Sequence, residues 1–171
     1  MGYTLVAGFD EQSLRVLHGI MEPFRANKIP FGRNCDREAA NREMDYHMTL
    51  FHWAKAMDNV YLPKLTDFVS VPCQIQVAGI RMMPAEEDSH LLYFDVCSGD
   101  GYNELADLVE KQLACRTSVF LHITLAVSKD SEEIQKIYRH ICKTVVFPFS
   151  LSIDRLDLYH IWKPTQKVRS L

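Results

Sequence analysis

His47-Met48-Thr49-Leu50 and His122-Ile123-Thr124-Leu125 are two copies of one short pattern, 75 positions apart, and each opens an apolar run. Side chains of an extended strand alternate between its two faces. Each histidine therefore shares a face with the threonine two residues later, while Met48, Leu50, Ile123 and Leu125 point into the opposite layer. A single pattern of this kind is an ordinary hydrogen-bonded strand. Two of them, in a chain with only seven histidines, point to a shared purpose. If the two strands face each other across a groove, two imidazoles and two hydroxyls converge, the set that phosphodiester chemistry needs when it uses no metal.

The elements around the motifs repeat as well. Hydrophobic periodicity predicts a strand over residues 3–9, then a helix from Ser13 to about Arg25 with Leu14, Leu17, His18, Met21 and Phe24 at helical spacing and Ser13 as its N-cap. The motif strand His47 to Ala54, a short helix over 58–68 and a strand from Val71 to Met83 complete the first half. The second half reads as a strand His90 to Cys97, a helix Gly101 to Cys115, the motif strand Leu121 to Val127, a helix capped by Ser131 and running to about Cys142, and strands Val145 to Ile153 and Leu156 to Trp162. Each half is strand, helix, motif strand, helix, strand, so an internal duplication organises the chain. Phe9 to His47 spans 38 positions and Phe94 to His122 only 28, which makes residues 26–45 a loop or lid candidate.

Composition narrows the class. At 171 residues, 47% hydrophobic and 24% charged, the chain suits one compact domain. Its first residues read as a strand rather than a signal peptide, and no stretch approaches the length of a membrane span. Val6 stands where a myristoylation signal has Ser or Thr. The five cysteines, Cys35, Cys73, Cys97, Cys115 and Cys142, form no C-x-x-C pair, so a disulfide framework or zinc knuckle is not expected; most read as small core residues of a reduced, cytoplasmic protein. A formal charge of −3 argues against sequence-independent wrapping of long nucleic acid but leaves room for a small nucleotide or an RNA end.

With the paired His47-Met48-Thr49-Leu50 and His122-Ile123-Thr124-Leu125 in view, the chain resembles the 2H phosphoesterase superfamily, whose members carry two H-x-[ST]-x motifs on strands of two pseudo-symmetric lobes. The resemblance covers essentially the whole chain, and in size and order it is similar to the RNA 2',3'-cyclic phosphodiesterases, also called 2'-5' RNA ligases. It implies an α+β fold, a single bilobal domain over residues 1–171 with lobe halves of approximately 1–84 and 85–171, and antiparallel sheets lining a central cleft. It also implies His47, Thr49, His122 and Thr124 as catalytic residues, and a nucleotide or RNA end carrying a cyclic phosphate or 2'-5' linkage as partner. A basic residue often follows the second motif in that family; here the nearest is Lys129, after Ser128.

The residues themselves support the same chemistry. Opening a cyclic phosphate needs a base for the attacking water and an acid for the departing ribose oxygen, and histidine serves as either near neutrality. The Thr49 and Thr124 hydroxyls can donate to the non-bridging oxygens. Which histidine is base and which is acid stays open at this stage. The resemblance favours release of the 3' oxygen to leave a 2'-phosphate; a 5'-hydroxyl in place of water would give a 2'-5' linkage without ATP. No cofactor is expected, and no metal, because the chain has neither H-x-H nor H-E-x-x-H. Since one chain carries both motifs, a monomer is expected.

Other residues are secondary. Tyr46 and Phe51, flanking the first motif, and Lys129 are candidates for substrate binding. Tyr3, Phe9, Tyr159 and Trp162 compete between stacking on a base and packing in the core. Arg155, Lys163, Lys167 and Arg169 form a loosely basic C-terminal region that is either a cleft border or a solvated face. His18, His52, His90, His140 and His160 read as structural or exposed. Two alternatives stand beside the enzyme: a binding protein that holds a nucleotide or RNA end without turning it over, and a scaffold whose cleft is incidental.

Overall fold

A computed structural model describes residues 3–27, 45–53, 73–85, 88–97, 107, 110, 121–160 and 166–170. Within them the order is β1 (Tyr3–Phe9), α1 (Glu11–Met21), a 3-10 turn (Glu22–Asn27), β2 (His47–Trp53), β3 (Cys73–Pro84), β4 (His90–Cys97), β5 (His122–Ser128), α2 (Ser131–Thr144), β6 (Phe149–His160) and β7 (Gln166–Ser170). The loop candidate 28–44, the helix expected over 58–68, most of that over 101–115, and Trp162 and Lys163 lie outside the described residues. Among the described residues no helix is long and apolar enough to cross a membrane.

The fold is α+β, with a seven-stranded antiparallel sheet in the order β1-β2-β5-β4-β3-β6-β7. β6 also pairs with β1, so six of the strands form a closed circuit. The circuit has two leaves, β6-β1-β2 and β5-β4-β3, which meet between β3 and β6 at the pairs Cys73↔Ile153 to Val77↔Phe149 and between β2 and β5 at the single pair Met48↔Ile123. Because these residues stand at matching positions of the two motifs, the pair marks a pseudo-two-fold axis, each motif meeting its own counterpart. The duplication extends further than the motifs. β3 from the first half of the sequence pairs with β4 of the second, and β6 from the second half pairs with β1 of the first, so each half lends its long strand to the other leaf.

Four bulges repeat the symmetry. Val6↔Thr49 is followed by Leu5↔Phe51, leaving Leu50 as the extra residue, and Tyr93↔Thr124 is followed by Leu92↔Ala126, leaving Leu125. Ala78 and Asp154 are the extra residues of β3 and β6 at matching places. A bulge lets two residues on one strand face one on its partner and re-aims what flanks it. The Leu of each motif is thus a bulge residue, buried with the core.

The core follows from alternation. One row across the circuit, Leu156, Ala7, Met48, Ile123, Phe94 and Ile80, is wholly apolar and at most 9% exposed. α1 covers this layer through Leu17 and Met21, and α2 through Ile134, Ile137 and Ile141. Each buried aliphatic side chain of this size contributes about 1.5–3 kcal/mol.

The expected elements need several corrections. α1 is capped by Asp10, whose carboxylate accepts from the Ser13 N–H at 2.7 Å; Ser13 itself is buried, and its hydroxyl accepts from the Ser152 N–H at 2.8 Å. α2 is capped by Asp130, which accepts from the N–H groups of Glu132 and Glu133 at 2.9 and 3.2 Å, and Ser131 is the first helical residue. The strands expected over 145–153 and 156–162 are one strand, β6, because the polar pair Asp154-Arg155 that interrupts the alternation is a bulge and not a turn. β7 is an addition to the expected elements. Cys97 and Cys142 are exposed free thiols and not core residues.

Candidate active site

The rows on either side of the apolar one face away from the core and carry the chemistry. One runs Arg155, Gly8, His47 on its leaf and continues Thr124, Tyr93, Arg81 on the other; its neighbour runs Asp157, Val6, Thr49 and continues His122, Asp95, Gly79. The pair Met48↔Ile123 between them sets His47 toward Thr124 and Thr49 toward His122. The structure therefore brings the four motif residues onto one face of two adjoining strands. All four are half-buried.

The surroundings of the two imidazoles differ. His47 Nδ1 lies 2.8 Å from the main-chain oxygen of Asp45. A carbonyl only accepts, so Nδ1 carries the hydrogen and Nε2 of the neutral ring presents a lone pair. Burial pushes His47 below the ordinary imidazole value of 6.5. The Asp45 carbonyl works against that, the charge of His122 adds to it, and the carboxylates of Asp157 and Asp45 oppose it. The His47 imidazole thus senses charge on His122. His122 stands directly opposite Asp95 on β4, a carboxylate held by Arg81 Nε at 2.8 Å, and the edge of its ring meets Tyr93 with centroids 5.5 Å apart. Side chains directly opposite in an antiparallel pair are near neighbours, so a carboxylate flanks His122 where Gly8 flanks His47.

Gly8 has its own reason. A Cβ there would meet Arg155 Nε at 2.6 Å and Cγ at 2.8 Å, because the arginine lies across this position. From there Arg155 donates through Nη1 to the Phe9 carbonyl at 2.8 Å and to Asp154 at 3.1 Å, and through Nε to the buried Asp157 at 3.3 Å. Gly8→Ala is expected to push the stem of Arg155 aside and to destabilise the protein by about 1–3 kcal/mol. A urea unfolding midpoint unchanged from wild type would contradict this.

The secondary candidates fare differently. Tyr46 is buried in the core against His18, on the Met48 side of its strand, so it does not line the face of the histidines. Phe9 is likewise core. Lys129 is exposed beyond the end of β5, roughly 20 Å from His122 at the usual strand rise, whereas Arg155 stands in the row of His47. Phe51 pairs with Leu5 in register, and its side chain, like those of His52, Tyr3, Tyr159, Lys167 and Arg169, lies outside the described residues. His18 and His140 are helical, and His90 and His160 are at strand ends. Asp45, Asp95 and Asp157 are the site residues that the motifs do not reveal; the one signal for them is an acid at alternating spacing within or just before an apolar strand.

No protein-family model and no curated protein matches the chain. Solved structures do. TT0787 of Thermus thermophilus is 15% identical, with 100% of this chain and 97% of that chain covered and a TM-score of 0.58. LigT of E. coli without ligand is 12% identical over 99% of this chain and 95% of LigT, with a TM-score of 0.53, and its complex with ATP is 13% identical at 0.53. The chain has the fold of the 2H phosphoesterases, as its motifs led us to expect. More particularly, its likeness to LigT covers 99% of the chain.

Proposed function

We propose that this chain is a metal-independent phosphodiesterase that opens 2',3'-cyclic phosphates of nucleotides or RNA ends, with His47 as base and His122 as acid. The observation that carries this is the single face holding His47, Thr49, His122 and Thr124, with unlike surroundings for the two imidazoles. His47 Nε2 takes a proton from water as the water oxygen bonds to phosphorus; the bond from phosphorus to the ribose 3' oxygen breaks, and the His122 imidazolium protonates that oxygen. The product is a 2'-phosphate. Thr49 and Thr124 donate to the non-bridging oxygens, where charge is spread in the transition state. A 5'-hydroxyl replacing water would give a 2'-5' linkage by the same transfers. The ligands named with LigT, ATP and 3'-AMP, are consistent with a nucleotide as the molecule bound. We expect it to act as a cytoplasmic monomer, one chain carrying both histidines.

The test is incubation in EDTA with 2',3'-cyclic nucleotides and with a short RNA ending in a cyclic phosphate, with products identified by mass spectrometry. Formation of a 2'-phosphate supports the reading; binding without turnover favours a nucleotide-binding protein. The pH dependence follows from His47. Its value lies below 6.5, so the neutral base persists as pH falls through that point, and the acid limb of kcat/KM is expected below 6.5. Stability has the same sign: the unfolded chain protonates first, so this contribution is present above 6.5 and is lost as pH falls below it. An acid limb at or above 6.5 would count against His47 as the base.

A further inference from the structure

His18 lies on α1, away from the motif strands, and the chemistry above gives it no part. Its Nε2 stands 2.9 Å from Oδ1 and 3.0 Å from Oδ2 of Asp45. The same Oδ1 accepts from the Tyr46 N–H at 2.7 Å, and the main-chain oxygen of Asp45 accepts from His47 Nδ1 at 2.8 Å. The His18 ring also packs on Tyr46, with centroids 5.0 Å apart. One residue, Asp45, therefore joins a helix-borne imidazole to the imidazole of the first motif.

This linkage has a geometric role. β2 begins at His47, so Asp45 precedes the ladder that would otherwise orient its peptide. The side-chain tether to α1 and to the Tyr46 N–H does so instead. His18 and Asp45 are 36% and 40% exposed, and an ion pair so open to water contributes little to stability. At the matching position of the second motif, 75 residues after Asp45, the sequence has Phe120, whose side chain can neither accept nor pair. The chain breaks its own symmetry here, beside the histidine whose tautomer matters.

We infer that His18 and Asp45 are positioning residues, the pair fixing the Asp45 peptide so that its carbonyl holds the His47 ring with Nδ1 protonated and Nε2 bare. The kinetic consequence rests on the proposed role of His47 as base; the tautomer does not. The other charged groups acting on His47 are His122 and Asp157, and neither bonds to Nδ1. This places a regulator of the base on α1, in a residue that the strand motifs alone do not point to.

The test uses the full chain, labelled with nitrogen-15, and reads the His47 tautomer by long-range proton–nitrogen correlation near neutral pH without substrate. In wild type, Nδ1–H is expected. His18→Leu and Asp45→Ala should each give a mixture with Nε2–H, and should lower kcat for a 2',3'-cyclic nucleotide about tenfold while KM changes less than about twofold. His18→Gln and Asp45→Asn keep a donor and an acceptor and should restore both readouts toward wild type. Full retention of Nδ1–H with unchanged kcat in His18→Leu and Asp45→Ala overturns the inference. If His18→Leu does not fold, Asp45→Ala decides on the same readouts. If wild type shows no turnover, the phosphodiesterase reading fails, and the tautomer alone decides this one.

Discussion

His47→Ala and His122→Ala are each expected to lower kcat for hydrolysis of a 2',3'-cyclic nucleotide by about 10³-fold. The size follows from what is lost. Without His47 the attacking water keeps its proton until late in the reaction; without His122 the ribose oxygen departs as an alkoxide. Because one reaction passes through both transfers, the double substitution should be little worse than either single one. Neither histidine belongs to the apolar row, and His47 is held where burial disfavours its charge, so each change should alter stability by no more than about 1 kcal/mol. Steady-state rates with a cyclic nucleotide and a urea titration on the same samples measure both. A variant retaining a tenth of wild-type kcat would remove that histidine from the mechanism, and loss of rate that tracks loss of fold would leave only the scaffold reading.

Phe94→Ala should have the largest effect on stability, a loss of about 3–5 kcal/mol. Phe94 is fully buried, lies in the apolar row opposite Ile123, and meets Phe147 and Phe149 edge-on with centroids 5.8 and 5.5 Å apart. Truncation empties a ring-sized volume where β4, β5 and β6 converge, and strands held in two ladders cannot readily collapse into it. Against a total of about 5–15 kcal/mol for a domain of this kind, that is a large share. The check is a fall in the urea midpoint at unchanged slope. A loss under about 1 kcal/mol would mean that the surrounding aromatic rings repack freely.

Much of this is legible from the sequence because it depends on local alternation. The period of two in each motif predicts which four side chains share a face, and the order of apolar runs predicts the strands β1 to β5 and the helices α1 and α2. The lending of β3 and β6 between leaves is not legible, since no local property of 73–84 or 149–160 distinguishes one partner strand from another. The bulges mislead in a specific way: Asp154-Arg155 reads as a break because a bulge, like a turn, interrupts alternation. The caps fall one element of chemistry away from their expected residues because serine and aspartate both suit that position; Asp10 and Asp130 stand before acidic first turns, the signal that identifies them. Tyr46 reads as cleft-facing because it adjoins His47, yet adjacency in a strand places a residue on the opposite side.

The exchange of β3 and β6 has a consequence for how the molecule comes apart. Cut between residues 84 and 85, each piece would keep a motif strand and its neighbour, β1-β2 or β4-β5, but its remaining long strand would have its ladder on the other piece. Neither piece carries a finished leaf. The arrangement is that of two interlocked copies exchanging arms, fused into one polypeptide, so the two leaves share a common fate: loosening the strands of one half strips a strand from the leaf built on the other.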